Sequence, residues 1–215
     1  MIPLIEARGL VRIYEIRKGP FSRPQPVRAV DDLSLSVMPG ETVGIVGESG
    51  SGKSTLGRML LGIDRAQAGE VIFDGRQMPP LHSQEWRALR AKMQLVYQDP
   101  LAALDRRLTI SAQIGEPLDI HGVGSKEERK ERVRELMGAV GLRPDQAGRY
   151  PHELSGGQRQ RAVIARALAA RPSLLICDEP VSALDVSIQA QVVNMLRDLQ
   201  EQNGVAMVFI SHDLK

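Results

Sequence analysis

The sequence predicts an α/β fold with a mainly parallel sheet, and three observations support this class. Residues 174–177 and 206–210 are uninterrupted apolar runs, which is typical of strands that are buried on both faces. The segment between these runs carries apolar residues at helical spacing, so a helix connects them. Near residue 50 another strand leads through a glycine-rich loop into a helix. Strands that alternate with helices in this way form parallel sheets covered on both faces.

The first part of the chain contains further strands. The segments that read as strands are 4–14, 33–38, 41–46, 70–73 and 93–97. Asp74-Gly75 follows the fourth of these and predicts a turn. The stretch 17–28 contains three prolines, four basic residues and no acidic ones, and we expect it to be a solvated loop.

The middle of the chain changes character, because strand signals are absent from residue 99 to about residue 147. Within this stretch Ser125 and Glu128 fit a capping box, and apolar residues follow at the spacing of one helix face. We therefore expect a helical subdomain to interrupt the sheet. The predicted organisation is a nucleotide-binding core part over 1–98, the helical subdomain over 99–170 and a second core part over 171–215.

The composition restricts the classes of function. The chain has 215 residues, which is room for one large α/β domain or for a core with an insertion. Its 28 basic and 26 acidic residues give a net charge of +2, so we expect no nucleic-acid partner. No apolar run approaches the roughly 18 residues of a membrane span, and no signal peptide is recognisable, so we expect a cytosolic protein. Cys177 is the only cysteine and fits a buried strand position better than a reactive thiol.

The glycine-rich loop predicts that the protein binds a nucleoside triphosphate. Gly47, Gly52, Lys53 and Ser54 fit the pattern G-x-x-x-x-G-K-[ST]. In this pattern backbone amides surround the phosphates, the lysine neutralises the outer ones, and the hydroxyl reaches Mg²⁺. The loop lies between the strand at 41–46 and a helix start, so the phosphates would lie at a helix N-terminus.

A second anion-binding segment follows about a hundred residues later. Ser155 is a good N-cap residue, and Gly156 and Gly157 leave backbone N–H groups uncovered at the start of the helix predicted for 158–170. One chain folds one such loop around one triphosphate. The second segment therefore predicts a site that is completed across a dimer.

Together, and in this order, the two segments make the sequence similar to the ATP-binding cassette (ABC) ATPases, and the resemblance covers essentially the whole chain. It implies a P-loop NTPase fold of the ABC ATPase type. This fold has a mainly parallel core sheet, an N-terminal antiparallel β part and an inserted helical subdomain. It also implies ATP and Mg²⁺ as the bound cofactors.

The resemblance implies roles for individual residues in binding ATP. Lys53 corresponds to the lysine that bridges the β- and γ-phosphates, and Tyr14 to the aromatic residue that stacks on adenine, although a core position is the alternative for Tyr14. The remaining residues expected to bind the nucleotide are Gly47, Gly50, Gly52, Ser54, Thr55, Ser155, Gly156, Gly157, Gln158 and Asp185. Asp185 ends the segment 182–185, which corresponds to the family's loop along the dimer interface.

The catalytic and metal-binding residues are expected at strand ends, where ligands of α/β sheets gather. Glu179 follows a buried strand and is the expected general base, while His212 and Gln98 are the expected catalytic partners. Asp178, Ser54 and Gln98 are the expected Mg²⁺ ligands, directly or through water. His82, His121 and His152 have no comparable placement, and we assign them no role.

Within the family, the run 176–194 and the segment 149–153 resemble the ATPase subunits of oligopeptide and dipeptide importers. This implies a second ABC ATPase subunit, integral membrane permease subunits and an extracytoplasmic substrate-binding protein as partners. It also implies a peripheral location at the cytoplasmic face of the inner or plasma membrane. Two departures stand out: Asp105-Arg106 replaces the usual Asn-Pro, and the chain stops at Lys215 where family members continue, so we expect a truncated form.

Two other classes of function are alternatives. A non-transport ABC ATPase for DNA repair or chromosome structure would need a long coiled coil between Lys53 and Asp178, and only 125 residues separate them. A ribosome-associated ABC ATPase usually has two cassettes in tandem, and one is present. A P-loop small-molecule kinase would leave the segment 154–158 unexplained. The transported substrate cannot be read from this chain.

Overall fold

The structure is a computed structural model that describes residues 2–17, 19 and 23–212. Over these residues it forms two sheets with helices between their strands, which confirms the predicted α/β class. The strands are β1 (Ile5–Ile16), β2 (Gln25–Val37), β3 (Thr42–Val46), β4 (Ala68–Phe73), β5 (Arg76–Gln77), β6 (Met93–Val96), β7 (Leu174–Asp178) and β8 (Ala206–Ser211). The α-helices are α1 (Lys53–Leu60), α2 (Gln84–Leu89), α3 (Pro100–Ala103), α4 (Ile110–Ile120), α5 (Lys126–Ala139), α6 (Gly156–Leu168) and α7 (Val186–Asn203).

The core sheet is parallel, with the strand order β3-β8-β7-β6. Its register places Val46 beside Ser211 and Asp178 beside Ile210, so the carboxyl ends of three strands meet at one edge. The loops that leave these ends are therefore neighbours in space although they are far apart in sequence.

Both faces of this sheet are covered, as the unbroken apolar strands predict. In β7 all four residues from 174 to 177 have no exposed surface. Leu174 and Ile176 pack into the cluster that contains α1, whereas Leu175 and Cys177 pack into the cluster that contains α6 and α7. Side chains alternate between the faces of a strand, so every second residue serves each cluster.

The second sheet is antiparallel, with the order β2-β1-β4-β5, which confirms the predicted antiparallel part. The loop prediction for 17–28 is wrong at its end, because β2 already begins at Gln25 and Pro26 pairs with Glu15 of β1. β2 lies at the edge of the sheet, where a proline lacking an N–H is tolerated. Residues 18 and 20–22 of that stretch lie outside the described residues.

The helices α3 to α6 lie between β6 and β7, where the sequence predicts a helical subdomain. The predicted capping box is present at α5: the Glu128 amide donates to Ser125 Oγ at 3.3 Å, and the Ser125 amide donates to Glu128 Oε2 at 2.6 Å. α6 contacts α3, α4 and α5 and also touches β6, so it joins the helical part to the sheet. In the part of the chain that the structure describes, no helix has the length and apolar character needed to cross a membrane.

Candidate functional site

The glycine-rich loop 47–52 joins β3 to α1 and is fixed by its backbone conformation. Gly52, directly before α1, has φ of +93°, and a Cβ placed there would lie 1.7 Å from the carbonyl oxygen of Ala29. Only glycine fits this position. Because α1 begins at Lys53, the amides of residues 53–55 have no acceptor within the helix. These amides and the helix dipole together favour an anion at this end.

Lys53 is buried, with 7% of its surface exposed. Its ammonium donates to the carbonyl oxygens of Gly47 and Glu48, both at 2.8 Å. It also lies 3.9 Å from Glu179 Oε1. A buried cation needs such partners, and the two carbonyls and the Glu179 carboxylate supply them.

Ser54 and Asp178 form the link between the loop and the carboxyl end of β7. The Ser54 hydroxyl donates to Asp178 Oδ1 at 2.9 Å, across 124 residues of sequence. Burial raises the pKa of Asp178, the hydrogen bond from Ser54 opposes this, and the negative charge of Glu179 adds to it, so the net shift is upward. Within the described ranges no cluster of three or more His, Cys, Asp or Glu residues could hold a metal alone. Oxygen donors from one hydroxyl and one carboxylate nevertheless fit Mg²⁺, which commonly takes its other ligands from phosphate and water.

The Glu179 carboxylate lies close to three of the predicted site residues: Lys53, Gln98 and His212. Its Oε2 accepts a hydrogen bond from Gln98 Nε2 at 3.0 Å and lies 3.6 Å from His212 Nδ1. The backbone of Glu179 has φ of +48°, which is costly for a residue with a side chain. Its amide donates to the Ile210 carbonyl at 3.0 Å, and its carbonyl accepts from the amide and hydroxyl of Ser182. Backbone bonds on both sides therefore hold the carboxylate in place.

The structure brings six of the predicted site residues together at the carboxyl edge of the parallel sheet. They come from the first turn of α1, the end of β7 and the residues just beyond the ends of β6, β7 and β8. The six are Lys53, Ser54, Gln98, Asp178, Glu179 and His212.

Tyr14 lies on β1, at the side of the glycine-rich loop. It pairs with Val27 of β2, and the carbonyl of Ala29, two residues along that strand, presses against Gly52. Two residues of strand span about 7 Å, so the backbone of Tyr14 pairs with β2 close to the residue that contacts the loop. Tyr14 is partly exposed and belongs to neither buried cluster, which argues against the alternative of a core position.

The segment 155–158 forms the capped N-terminal end of α6. Ser155 caps α6 by accepting from the Gln158 amide at 3.3 Å, and the Gln158 side chain accepts from the Ser155 amide at 3.0 Å. A Cβ on Gly157 would lie 2.9 Å from Ile188, and one on Gly156 would lie 3.6 Å from Leu184. The segment thus packs beside the loop 182–185.

These residues stand apart from the glycine-rich loop. Among the described residues no hydrogen bond or ion pair joins 155–158 or Asp185 to the residues 47–55. Asp185 is exposed and makes no side-chain bond to the start of α7. Of the two predicted anion-binding segments, one therefore belongs to the group of residues that contact one another at the sheet edge, and no hydrogen bond among the described residues joins the other to it.

Three contacts around the site have no signal in the sequence. They are the carbonyl of Ala29 against Gly52, the Ser182 hydroxyl on the Glu179 carbonyl, and the bond from the Tyr14 hydroxyl to Asp64. Each joins segments whose approach depends on strand pairing or loop packing.

A groove of about 900 Å³ lies beside the site, between α2, β6 and α4. Tyr97, the neighbour of Gln98, lines it and is 49% exposed, and Ile120 at its rim is 69% exposed. Arg90 and Glu116 add charges of both signs. Burial, with a smaller contribution from the charge of Arg90, lowers the pKa of His121 in the same groove.

Comparisons with family models and with individual proteins identify the same family for this chain. The ABC transporter family matches residues 30–182. The chain is 50% identical over 213 residues to the glutathione import ATP-binding protein GsiA of Salmonella typhi, covering 99% of this chain and 34% of the relative. It is also 50% identical over 212 residues to a putative peptide import ATP-binding protein of Brucella ovis, covering 99% of this chain and 65% of the relative. The chain therefore spans less than two thirds of the length of these relatives.

Solved structures agree with the fold. An ATP-binding cassette determined as a dimer in a post-hydrolysis state, bound to ADP and Pi, superimposes with a TM-score of 0.85 at 31% identity, covering 98% of this chain and 88% of that one. A component of an ABC transporter complex from Clostridium perfringens gives a TM-score of 0.82 at 24% identity, covering 98% and 79%, and supports the fold alone.

Proposed function

The chain belongs to the ABC transporter family, and from this premise we propose that it is the ATP-binding and ATP-hydrolysing subunit of an importer for di- or oligopeptides. The observation that carries the proposal is the convergence of Lys53, Glu179 and their neighbours at one edge of the parallel sheet. The names of the relatives, which refer to glutathione and peptide import, support peptides as the substrate class.

The loop 47–55 binds the triphosphate in this proposal. Lys53 turns from the carbonyls of its own loop toward the β- and γ-phosphates, and the amides of Gly50, Gly52 and Thr55 donate to phosphate oxygens. Tyr14, which is partly exposed, offers a ring face to the adenine. Gly47 shapes the start of the loop.

Ser54 and Asp178 would hold Mg²⁺, with Gln98 as a further ligand through its amide oxygen or a water. The hydroxyl and the carboxylate already lie 2.9 Å apart, which suits two oxygens around one small cation. Bound Mg²⁺ supplies charge neutralisation on the phosphate oxygens.

Hydrolysis follows from the placement of Glu179. A water held against the γ-phosphorus gives its proton to the Glu179 carboxylate while its oxygen forms the new P–O bond. The bond from the phosphorus to the bridging oxygen breaks, and ADP leaves with the electron pair. Gln98 orients the carboxylate through its 3.0 Å bond, and His212 lies close enough to contact the same group and the γ-phosphate.

The second anion-binding segment acts on the nucleotide of another subunit. The N-terminus of α6 carries Ser155, Gly156, Gly157 and Gln158, which make no hydrogen bond to the glycine-rich loop among the described residues, and Asp185, next to Leu184 in the sequence, is exposed. A dimer in which this segment faces the partner's ATP completes two equivalent sites. A dimeric structure is known for the similar cassette.

The groove beside Gln98 is the proposed contact for the permease subunits. Exposed apolar residues such as Ile120 lie next to charges of both signs, as in interfaces that form between separate proteins. Tyr97 connects this surface directly to Gln98, so a partner in the groove would bias the catalytic carboxylate. The protein would then work at the cytoplasmic face of the membrane, with the substrate-binding protein outside.

The experiment is peptide uptake in cells that carry the gene in wild-type form, as Lys53→Ala or as Glu179→Gln. We expect uptake of labelled di- and tripeptides to be lost with both variants while sugar uptake is unchanged. Co-purification of the wild-type chain with integral membrane proteins should accompany this loss. Normal peptide uptake with either variant, or loss of sugar uptake alone, would contradict the proposed function.

A further inference from the structure

The hydroxyl of Tyr14 forms a hydrogen bond with the side chain of Asp64. It donates to Asp64 Oδ2 at 3.1 Å, in a partly buried position. Asp64 belongs to the loop that follows α1, the helix that begins in the glycine-rich loop. The ring proposed to stack on adenine is therefore tied to the far end of the helix proposed to hold the phosphates.

The same oxygen of Asp64 has a second donor. Arg58 of α1 donates from Nε to Asp64 Oδ2 at 2.8 Å. Its terminal Nη2 donates to Thr55 Oγ1 at 3.4 Å. Thr55 carries one of the amides at the phosphate end of α1. A continuous chain of contacts thus runs from Tyr14 through Asp64 and Arg58 to Thr55.

Further bonds fix the loop after α1 on β1. The Gln67 amide donates to the Val11 carbonyl at 2.8 Å, and the Gln67 side chain accepts from the Ile13 amide. Arg12 donates to the carbonyl of Arg65 at 3.0 Å and places its guanidinium 4.7 Å from the centre of the Tyr14 ring. Arg12 occupies one face of the ring, so a base can stack only on the other face.

We propose that Asp64 is a positioning residue for the adenine of bound ATP, acting through Tyr14. By accepting from Tyr14 and Arg58 on one oxygen, it sets the distance and tilt of the ring relative to the phosphate loop. A ring fixed in advance loses less freedom when the base stacks on it, and this strengthens binding of the base but not of the phosphates. The inference rests on the proposed function.

The test compares two probes by isothermal titration of the full chain: Mg-ATP and inorganic tripolyphosphate with Mg²⁺. Tyr14→Phe keeps the ring and removes its hydroxyl, and Asp64→Asn removes the charge. Tyr14→Phe removes the charge-assisted hydrogen bond between these two side chains and Asp64→Asn weakens it, so we expect ATP affinity to fall about fivefold to tenfold. Tripolyphosphate affinity should not change. The double variant should lose little more than the stronger single one, since both changes remove the same interaction.

Asp119→Asn is the control, because it breaks a different Asp–Arg pair, the more exposed one with Arg129 at 2.6 Å, away from the loop. It should leave both affinities unchanged. Equal losses of ATP and tripolyphosphate affinity in Asp64→Asn would assign Asp64 a structural role only and overturn the inference. Unchanged ATP affinity in Tyr14→Phe would overturn it as well, with the proposed function intact. Binding of neither probe by the wild-type chain would instead contradict the proposed function itself, and the inference with it.

Discussion

Gly52→Ala adds only one methyl group, but it should strongly lower both the stability and the ATPase turnover of this protein. A methyl group at this position would lie 1.7 Å from the carbonyl oxygen of Ala29, whereas real Cβ atoms keep at least 3.0 Å. The loop and β2 must therefore separate by about 1.3 Å, the difference between these two distances, in addition to the strain of alanine at φ of +93°.

The magnitude follows from these two terms. Alanine in the left-handed region costs about 1–2 kcal/mol, and overpacking adds about 1–3 kcal/mol, so we expect a loss of about 3 kcal/mol in unfolding free energy. For a chain of this size, this lowers the melting temperature by roughly 6–12 °C. A displacement of about 1 Å in a catalytic site costs on the order of 100-fold in rate, so ATPase turnover should fall by about that factor.

Gly75→Ala is the matched control. Gly75 lies in the turn between β4 and β5 and has φ of +73°, but a Cβ there meets nothing within 4 Å. It should cost only the backbone strain, about 1 kcal/mol or roughly 2–4 °C, and leave turnover unchanged. Calorimetric melting and a phosphate-release assay measure both effects. Equal melting temperatures and equal turnover for the two variants would refute the reasoning, because the Ala29 carbonyl would then not press against Gly52.

Three further predictions concern the site. Glu179→Gln keeps the shape of the general base but removes its charge, so it should bind ATP, stay dimeric on gel filtration with Mg-ATP and hydrolyse about 10²–10⁴-fold more slowly; near-normal turnover would place the base elsewhere. Asp178→Asn should raise the melting temperature without nucleotide at pH 7, because burial of the charge raises the pKa of Asp178 and the ionised form is therefore destabilising above that pKa. The difference from wild type should shrink as the pH falls through the folded-state pKa, and a difference that grows instead would contradict the sign. Mixing Lys53→Ala with Gly157→Asp should restore hydrolysis above that of either variant alone, because each heterodimer keeps one intact composite site; no gain in the mixture would argue against the composite arrangement.

The local elements could be predicted because their signals are local. The capping box at Ser125 and Glu128, the N-cap at Ser155 and the apolar periods of β7 and α7 depend on residues within one or two turns of each other. The loop prediction for 17–28 is wrong because it uses only local signals, whereas the start of β2 depends on pairing with β1. Prolines within a short segment predict a loop. At the edge of a sheet, however, the missing N–H of proline removes no hydrogen bond between strands, and β2 begins at Gln25.

The sequence predicts which residues form the candidate site, but it does not predict the geometry of the site. Sequence motifs indicate that Lys53, Glu179 and His212 serve one chemistry, since the residue types and the order of segments are typical of it. No pattern in the sequence predicts the positive φ of Glu179. None predicts the 3.0 Å hydrogen bond from Gln98 Nε2 to Glu179 Oε2 either. Those features depend on which strands are neighbours.

The sequence by itself determined the strands of the parallel sheet, the glycine-rich loop and the identity of the chemical groups, because each is specified by a short run of side chains and backbone freedom. Only the tertiary structure decided where these groups meet. The order β3-β8-β7-β6 brings strand ends more than a hundred residues apart to one edge, and the loop after α1 ties Tyr14 to Asp64. Strand order and loop packing are set by the burial of apolar surface and by hydrogen bonds between distant segments, and those energies belong to the folded chain as a whole.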